Sequence, residues 1–183
     1  MKKYEFTDET IDFCGRKLTR IRAVIDFGSV KAGSLGGFIE KESNLSHDGN
    51  AWVFDNAWVF GNAWVFDNAW VFGNAKVLGN AKVLGNAEVS SNAEVSSNAW
   101  VSGNAKVLGN ADYICIKGLG RFNRSTTFFR TEQGVSVVCG CFTGTLEDFE
   151  AKVFETHGNS IYAKEYLAAV EVAKIHFCIA EKK

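Results

Sequence analysis

Few side chains in this sequence are spaced to do chemistry. The chain has three histidines, and none falls between His47 and His157. Acyl transfer needs a general base within hydrogen-bond reach of its nucleophile, and the middle of the chain offers none. Of the five cysteines (Cys14, Cys115, Cys139, Cys141 and Cys178), only Cys139 and Cys141 lie close together. They alternate along a strand-like run and would share one face. A zinc site needs two more ligands of this kind, and no second pair stands in the sequence. The cysteines are expected as reduced thiols, with no metal, no cofactor and no catalytic residue. One stretch has the composition of an anion site: IKGLGRFNRSTTFFR carries Lys117, Arg121, Arg124, Ser125, Thr126 and Arg130. Arginine supplies forked donors, and glycine lets backbone N–H groups approach an oxyanion. A nucleotide or other anionic small molecule is the ligand such a stretch would hold. It is no P-loop, because the Gly-Lys-Ser/Thr ending is missing.

The elements that must position these residues are set by a repeat. From Asn50 the chain reads NAWVFD, NAWVFG, NAWVFD, NAWVFG, NAKVLG, NAKVLG, NAEVSS, NAEVSS, NAWVSG, NAKVLG, ten units of six residues without insertion. Alternation sends Ala and Val to one side and their neighbours to the other. Val suits a strand. The Gly/Asp/Ser-Asn pair is turn chemistry, and Asn tolerates the left-handed backbone of a tight corner. A period of six fits neither a heptad nor an α-helix. Three units would close a triangular coil of 18 residues. The units resemble the hexapeptide motif of left-handed β-helix proteins, as in Val53–Trp58 (VFDNAW) and Val77–Lys82 (VLGNAK). That resemblance implies a left-handed parallel β-helix over residues 50–115. It is weak for function, because one fold hosts many. The best-known enzymes of this family are trimeric acyltransferases with a catalytic His beside the coils. The uninterrupted repeat departs from that pattern, so acyltransferase activity is only the third reading.

Neighbours on the coil surface lie 18 residues apart, so Trp52 should stack on Trp70, Phe54 on Phe72, Glu88 on Lys106 and Lys76 on Glu94. In this register Trp52, Phe54, Trp58, Phe60, Trp64, Phe66, Trp70 and Phe72 all point outward as a collar. Each aromatic can bury roughly 150–250 Å², far more in sum than a soluble monomer exposes in one patch. Flanking segments, a second copy or a foreign partner must cover it. Residues 1–49 already have a hairpin and a coil cap to build, so a homo-oligomer, dimer or trimer, is expected.

The flanks complete a mainly β architecture. Residues 1–49 are read as a hairpin turning near Cys14-Gly15-Arg16, followed by an irregular cap of the coil. Arg20 and Arg22 are assigned to its solvated face. Residues 116–183 are read as a small α+β domain: a hairpin (STTFFRT, VSVVCGCF) and two helices. Thr145 and Ser160 open the helices, Gly158 stops the first, and His157 answers its C-terminus. A net charge of −1 gives no pull toward nucleic acid or anionic membrane. No apolar run is long enough to span a membrane, and MKKYEFTDET lacks the apolar core of a signal peptide.

The whole chain also resembles uncharacterised phage and prophage proteins of gut bacteria. The matching pieces are KYEFT, VKAGSLGGFIEKESNLS, the NA-x-V repeats, CGCFTGTLEDFE and HGNSIYAKEYLAAVEVAKIHF. The resemblance implies a phage accessory protein acting in host cytoplasm. The expected function is a non-catalytic, self-associating binding protein that inhibits a host defence factor through protein–protein contacts. The second reading is a protein that sequesters an anionic small molecule near Arg121–Arg130.

Overall fold

A computed structural model describes residues 1–179. The chain divides into two compact units, Met1–Asn110 and Ala111 onward. Among the described residues no helix is long and apolar enough to cross a membrane.

The first unit is a parallel β-solenoid of about four turns. Its strands are two residues each: β4 (Trp52–Val53), β5 (Trp58–Val59), β6 (Trp64–Val65), β7 (Trp70–Val71), β8 (Lys76–Val77), β9 (Lys82–Val83), β10 (Glu88–Val89), β11 (Glu94–Val95), β12 (Trp100–Val101) and β13 (Lys106–Val107). Each pairs in parallel with the strand 18 residues on, which gives three faces: β4-β7-β10-β13, β6-β9-β12 and β5-β8-β11. All ten repeat valines are fully buried, and the repeat alanines with them. The expected partners are in register, Trp52 with Trp70, Glu88 with Lys106 and Lys76 with Glu94.

The corners differ from expectation in one respect. The left-handed residue is the one before each Asn: Asp55, Asp67, Ser91 and Ser97, and the glycines 61, 73, 79, 85 and 103, all have positive φ. Asn does other work. Its side-chain amides stack from coil to coil, Asn50 to Asn68 (3.1 Å), Asn68 to Asn86 (3.3 Å) and Asn86 to Asn104 (3.2 Å). This exposed column pairs a donor with an acceptor from rung to rung. Where Asp replaces Gly at the corner, its carboxylate accepts the N–H of the next corner, Asp55 from Gly73 (3.1 Å) and Asp67 from Gly85 (3.2 Å). That bond offsets the cost of a non-glycine left-handed residue.

The solenoid starts earlier than the repeat. Strand β3 (Leu35–Ile39) pairs with β5 through Phe38–Trp58 and Ile39–Val59, and Leu45 bridges Val65. These partners are 20 residues apart, not 18, and the two extra residues lie between Leu45 and Val53. Buried Asn44 completes this irregular turn, donating to the carbonyls of Gly61 (3.2 Å) and Ala63 (2.8 Å).

Strands β1 (Tyr4–Phe13) and β2 (Arg16–Ala23) add an antiparallel hairpin to β3. The turn between them is Cys14-Gly15, both with positive φ, the geometry favoured in two-residue hairpins. Leu18, Ile21 and Ala23 are its buried face. Arg22 lies on the solvated face, half exposed and paired with Glu5. Arg20 does not. Its guanidinium bonds Glu9 and the carbonyls of Gly36 and Asp55, and lies 4.2 Å from the Phe38 ring centroid. The bulge between Phe6 and Thr10 blunts β1 as an open edge, together with Asp8, Glu9 and Asp12.

The second unit is an antiparallel meander followed by a helical pair. The sheet runs β14 (Tyr113–Leu119), β15 (Arg124–Thr131), β16 (Gly134–Cys139), β17 (Phe142–Thr145), and the helices are α1 (Leu146–His157) and α2 (Ile161–His176). Four strands stand where two were expected. Thr145 and Asp148 form a capping box, Ser160 caps α2, and Gly158 ends α1 with φ of 54°. Phe128 and Val137 of the sheet pack on Phe149 and Val153 of α1 and on Ala163, Tyr166, Val170 and Ala173 of α2. Cys139 and Cys141 do not share a strand face. Cys139 ends β16 and is buried, whereas Cys141 is exposed in the two-residue Gly140-Cys141 turn.

Candidate binding surfaces

The eight collar residues occupy equivalent repeat positions, yet the chain treats them differently. Trp52 is 0% exposed. Tyr4 and Phe27 meet its ring edge-on at 6.2 and 5.3 Å, and Gly36 leaves room for it: a Cβ there would come within 2.7 Å of Trp52 Cζ2. Phe60 is also buried, in a cluster with Leu18 and Phe38, and Phe13 lies 5.1 Å from the Trp58 ring and 5.7 Å from Phe60. The Lys76 ammonium lies 4.8 Å from the Trp58 ring and 5.1 Å from Phe13, and Trp58 stays half-buried. The N-terminal segment therefore wraps more of the collar than its length suggested. Sequence spacing could not reveal this, because the hairpin extends a solenoid face and lays its own aromatics on it.

Six residues stay partly or largely open: Phe54, Trp58, Trp64, Phe66, Trp70 and Phe72. Trp64 is 40% exposed and stacks on Phe66 at 4.1 Å, with an interplanar angle of 23°. On the next face Phe54 meets Trp70 edge-on at 5.5 Å. Phe54, Trp70 and Phe72 line a shallow cavity of about 250 Å³ with Asp55 and Glu88.

The early start of the solenoid puts a histidine on the coils after all. His47 sits in the enlarged corner between Leu45 and Val53, beside a cavity of about 540 Å³ bordered by Glu42, Ser46, Asp48 and Trp64. Its Nδ1 accepts the backbone N–H of Lys3 (3.1 Å), and its Nε2 lies 3.0 Å from Glu42 Oε1. Nδ1 is thus the acceptor and Nε2 the donor. The ring is also stacked on Tyr4 at 4.3 Å. With both nitrogens committed, the imidazole has no lone pair free to take a proton. Glu42 is held below the usual carboxylate range, first by its bond to His47 and then by Lys2.

The basic stretch is not brought together. Arg130 sits at one end of β15, where it pairs with Asp112 (3.1 Å) and donates to the Phe177 carbonyl (3.3 Å). Arg124 lies at the other end, and six residues of strand separate the two by roughly 20 Å. Thr126 is buried and donates to Cys139 Sγ at 3.2 Å. Lys117 and Ser125 belong to β14 and β15, and Arg121 stands in the connecting turn, 5.9 Å from the exposed Phe122 ring. Arg124 borders a cavity of the second unit, and its neighbours there come from other segments.

No family model matches the sequence. The chain is similar to the "Uncharacterized acetyltransferase YdcK" of Escherichia coli (strain K12), 38% identical over 63 residues, which is 30% of this chain and 19% of that protein. The chain thus spans about a fifth of the length of the curated relative it matches. The hexapeptide-repeat solenoid and this partial likeness agree with each other.

Proposed function

We propose that the first unit is a non-catalytic scaffold that associates with a second copy of itself through the aromatic surface its own hairpin leaves open. The observation that carries this reading is the contrast between Trp52, wholly covered, and Trp64, 40% exposed and stacked on Phe66. The two tryptophans sit at equivalent positions of identical NAWVF units. Flat, rigid aromatic surface binds at low conformational cost. A standard interface buries roughly 800 Å² per partner, and six partly open aromatics of this size supply a large part of that. The partial likeness to an uncharacterized acetyltransferase brings an acetyltransferase reading to this chain. The committed nitrogens of His47 weigh against it, since it is the one histidine on the solenoid. The resemblance to phage and prophage proteins extends the proposal to a target: the assembled scaffold binds a host defence protein in the cytoplasm.

The test is solution mass at micromolar concentration. The wild type should run as a multiple of 20.1 kDa, and Trp64→Ser should shift it toward the monomer. A wild-type monomer would overturn self-association. Release of free thiol from acetyl-CoA by the wild type, abolished by His47→Ala, would replace the scaffold reading with the enzymatic one.

A further inference from the structure

We infer that the second unit holds a binding site for a small organic oxyanion, a phosphate monoester or carboxylate, in the cleft between the β16–β17 turn and the two helices. This site belongs to the second unit and does not depend on the role of the aromatic surface. The cleft encloses about 360 Å³, the size of a small metabolite. Arg124 enters it from the start of β15, Cys141 and Phe142 from the turn, Lys152 and His157 from α1, and Tyr166 from α2. The lining holds three basic side chains and no acidic one.

Arg124 is the centre of the argument. Among the described residues no carboxylate pairs with it, and its guanidinium rests on the Phe122 ring at 5.4 Å. It lies across Gly140, where a Cβ would fall 2.7 Å from its Nη1. Gly140 has φ of 61°, so the turn requires glycine for its backbone and offers the space to the arginine. A guanidinium held in this way presents its fork to a planar or tetrahedral oxyanion. Among the described residues Lys152 pairs with exposed Glu155 alone, at 2.8 Å, a pair of small worth that an entering anion can displace. Tyr166 brings its ring and no charge: its hydroxyl is already donated to the Leu119 carbonyl, at 3.3 Å. Burial and neighbouring Cys139 push its phenol up to about 12, so it keeps its proton through the neutral range. His157 lies flat against it at 5.5 Å. The apolar part of a ligand would meet Phe142.

The probes are inorganic phosphate, ribose 5-phosphate, AMP, benzoate and uncharged adenosine, titrated into the full chain by calorimetry and by amide NMR shifts. At least one of the charged probes should bind, with shifts at the Gly140-Cys141 turn and the last turn of α1, and adenosine should not. Among the charged probes, ribose 5-phosphate and AMP read the phosphate source, and benzoate the carboxylate source. Arg124→Gln should raise Kd on the order of tenfold or more. Lys152→Gln, at an exposed helix position, should weaken binding to a lesser degree and serves if Arg124→Gln folds poorly. Arg130→Gln and Trp64→Ser should leave binding unchanged. Failure of every charged probe at millimolar concentration would overturn the site. So would binding that Arg124→Gln and Lys152→Gln both leave intact.

Discussion

Serine placed at Trp52 and at Trp64, one at a time, should give opposite phenotypes from the same substitution. Trp52 is fully buried beneath Tyr4, Phe27 and the backbone of Gly36. Truncating a buried tryptophan costs about 3–5 kcal/mol, through lost transfer free energy and the cavity left behind. One feature moderates this. Among the described residues Trp52 Nε1 has no hydrogen-bond partner, and a buried unpaired donor costs roughly 1–3 kcal/mol. Trp52→Phe should therefore cost under about 1.5 kcal/mol, since it keeps most of the ring and removes the orphan N–H. Trp64 is 40% exposed, so its truncation should cost about 1 kcal/mol or less in the monomer. In thermal unfolding followed by circular dichroism, Trp52→Ser should lower Tm by roughly 10 °C or more, and Trp64→Ser by a few degrees. Oligomer mass should behave the other way, preserved in folded Trp52→Ser and reduced in Trp64→Ser. Equal losses of Tm in the two variants would refute the covered-and-open assignment on which the interface rests.

Two further outcomes test the packing and electrostatics of the first unit. Gly37→Ala should prevent folding or cost more than about 3 kcal/mol by urea titration, because its Cβ would lie 2.4 Å from the Ala57 carbonyl oxygen and 3.0 Å from that of Phe54, both backbone. Gly109→Ala, with nothing within 4 Å, should be near neutral. Lys3 is buried with its ammonium on the Ala51 carbonyl (2.8 Å), and burial pushes it down from 10.5 to about 8, against the pull of Asp48. Below pH 8 both folded and unfolded chains hold the proton and the burial cost is present in full. Above that the folded chain releases its proton first, so stability should rise with pH toward 10. Beyond that Tyr4, pushed up by burial and then by Glu42, works the other way. Lys3→Met should flatten the rise between pH 8 and 10 in equilibrium unfolding; an unchanged slope would place the dependence on another group.

Much of the fold is legible because the repeat repeats its physics. A β-branched Val and a small Ala alternate with polar or aromatic neighbours, and only one register buries every Val. All ten are buried. Helix ends are legible for a similar reason: Thr145, Asp148, Ser160 and Gly158 each satisfy a backbone group at a fixed offset. The irregular first coil ahead of the repeat is legible as a coil, with residues 39–44 fitting the hexapeptide pattern; its register is not, because two extra residues before Val53 break the period and Asn44 stands in place of a repeat rung. Strand β17 hides because Phe142–Thr145 is short and carries a glycine. The corner is instructive as well. Asn is the constant residue, so it invites the left-handed assignment, yet the variable Gly/Asp/Ser takes that conformation. Constancy there reflects the amide ladder, which needs the same side chain on each rung, while the backbone corner accepts any residue that is small or can bond the next coil.

The surfaces that bind are harder to read than the core, and the reason is geometric. Burial inside a solenoid depends on local alternation, which a window of six residues contains. Cover outside it depends on where a distant hairpin lands. The hairpin could fall on Trp52 and Phe60 rather than on Trp64 because β2 joins β3 by edge pairing, which fixes the hairpin on one face. The same holds for the cleft of the second unit. Lys117, Arg121, Arg124 and Arg130 are neighbours in sequence, but strand alternation and a 20 Å strand pull them apart. Arg124 gains Lys152, His157 and Tyr166 only because α1 and α2 fold back over the sheet. A charge cluster in sequence says that cations are available. Whether two of them meet is decided by the pairing of strands and the return of helices, and here the pairing selects one arginine of three.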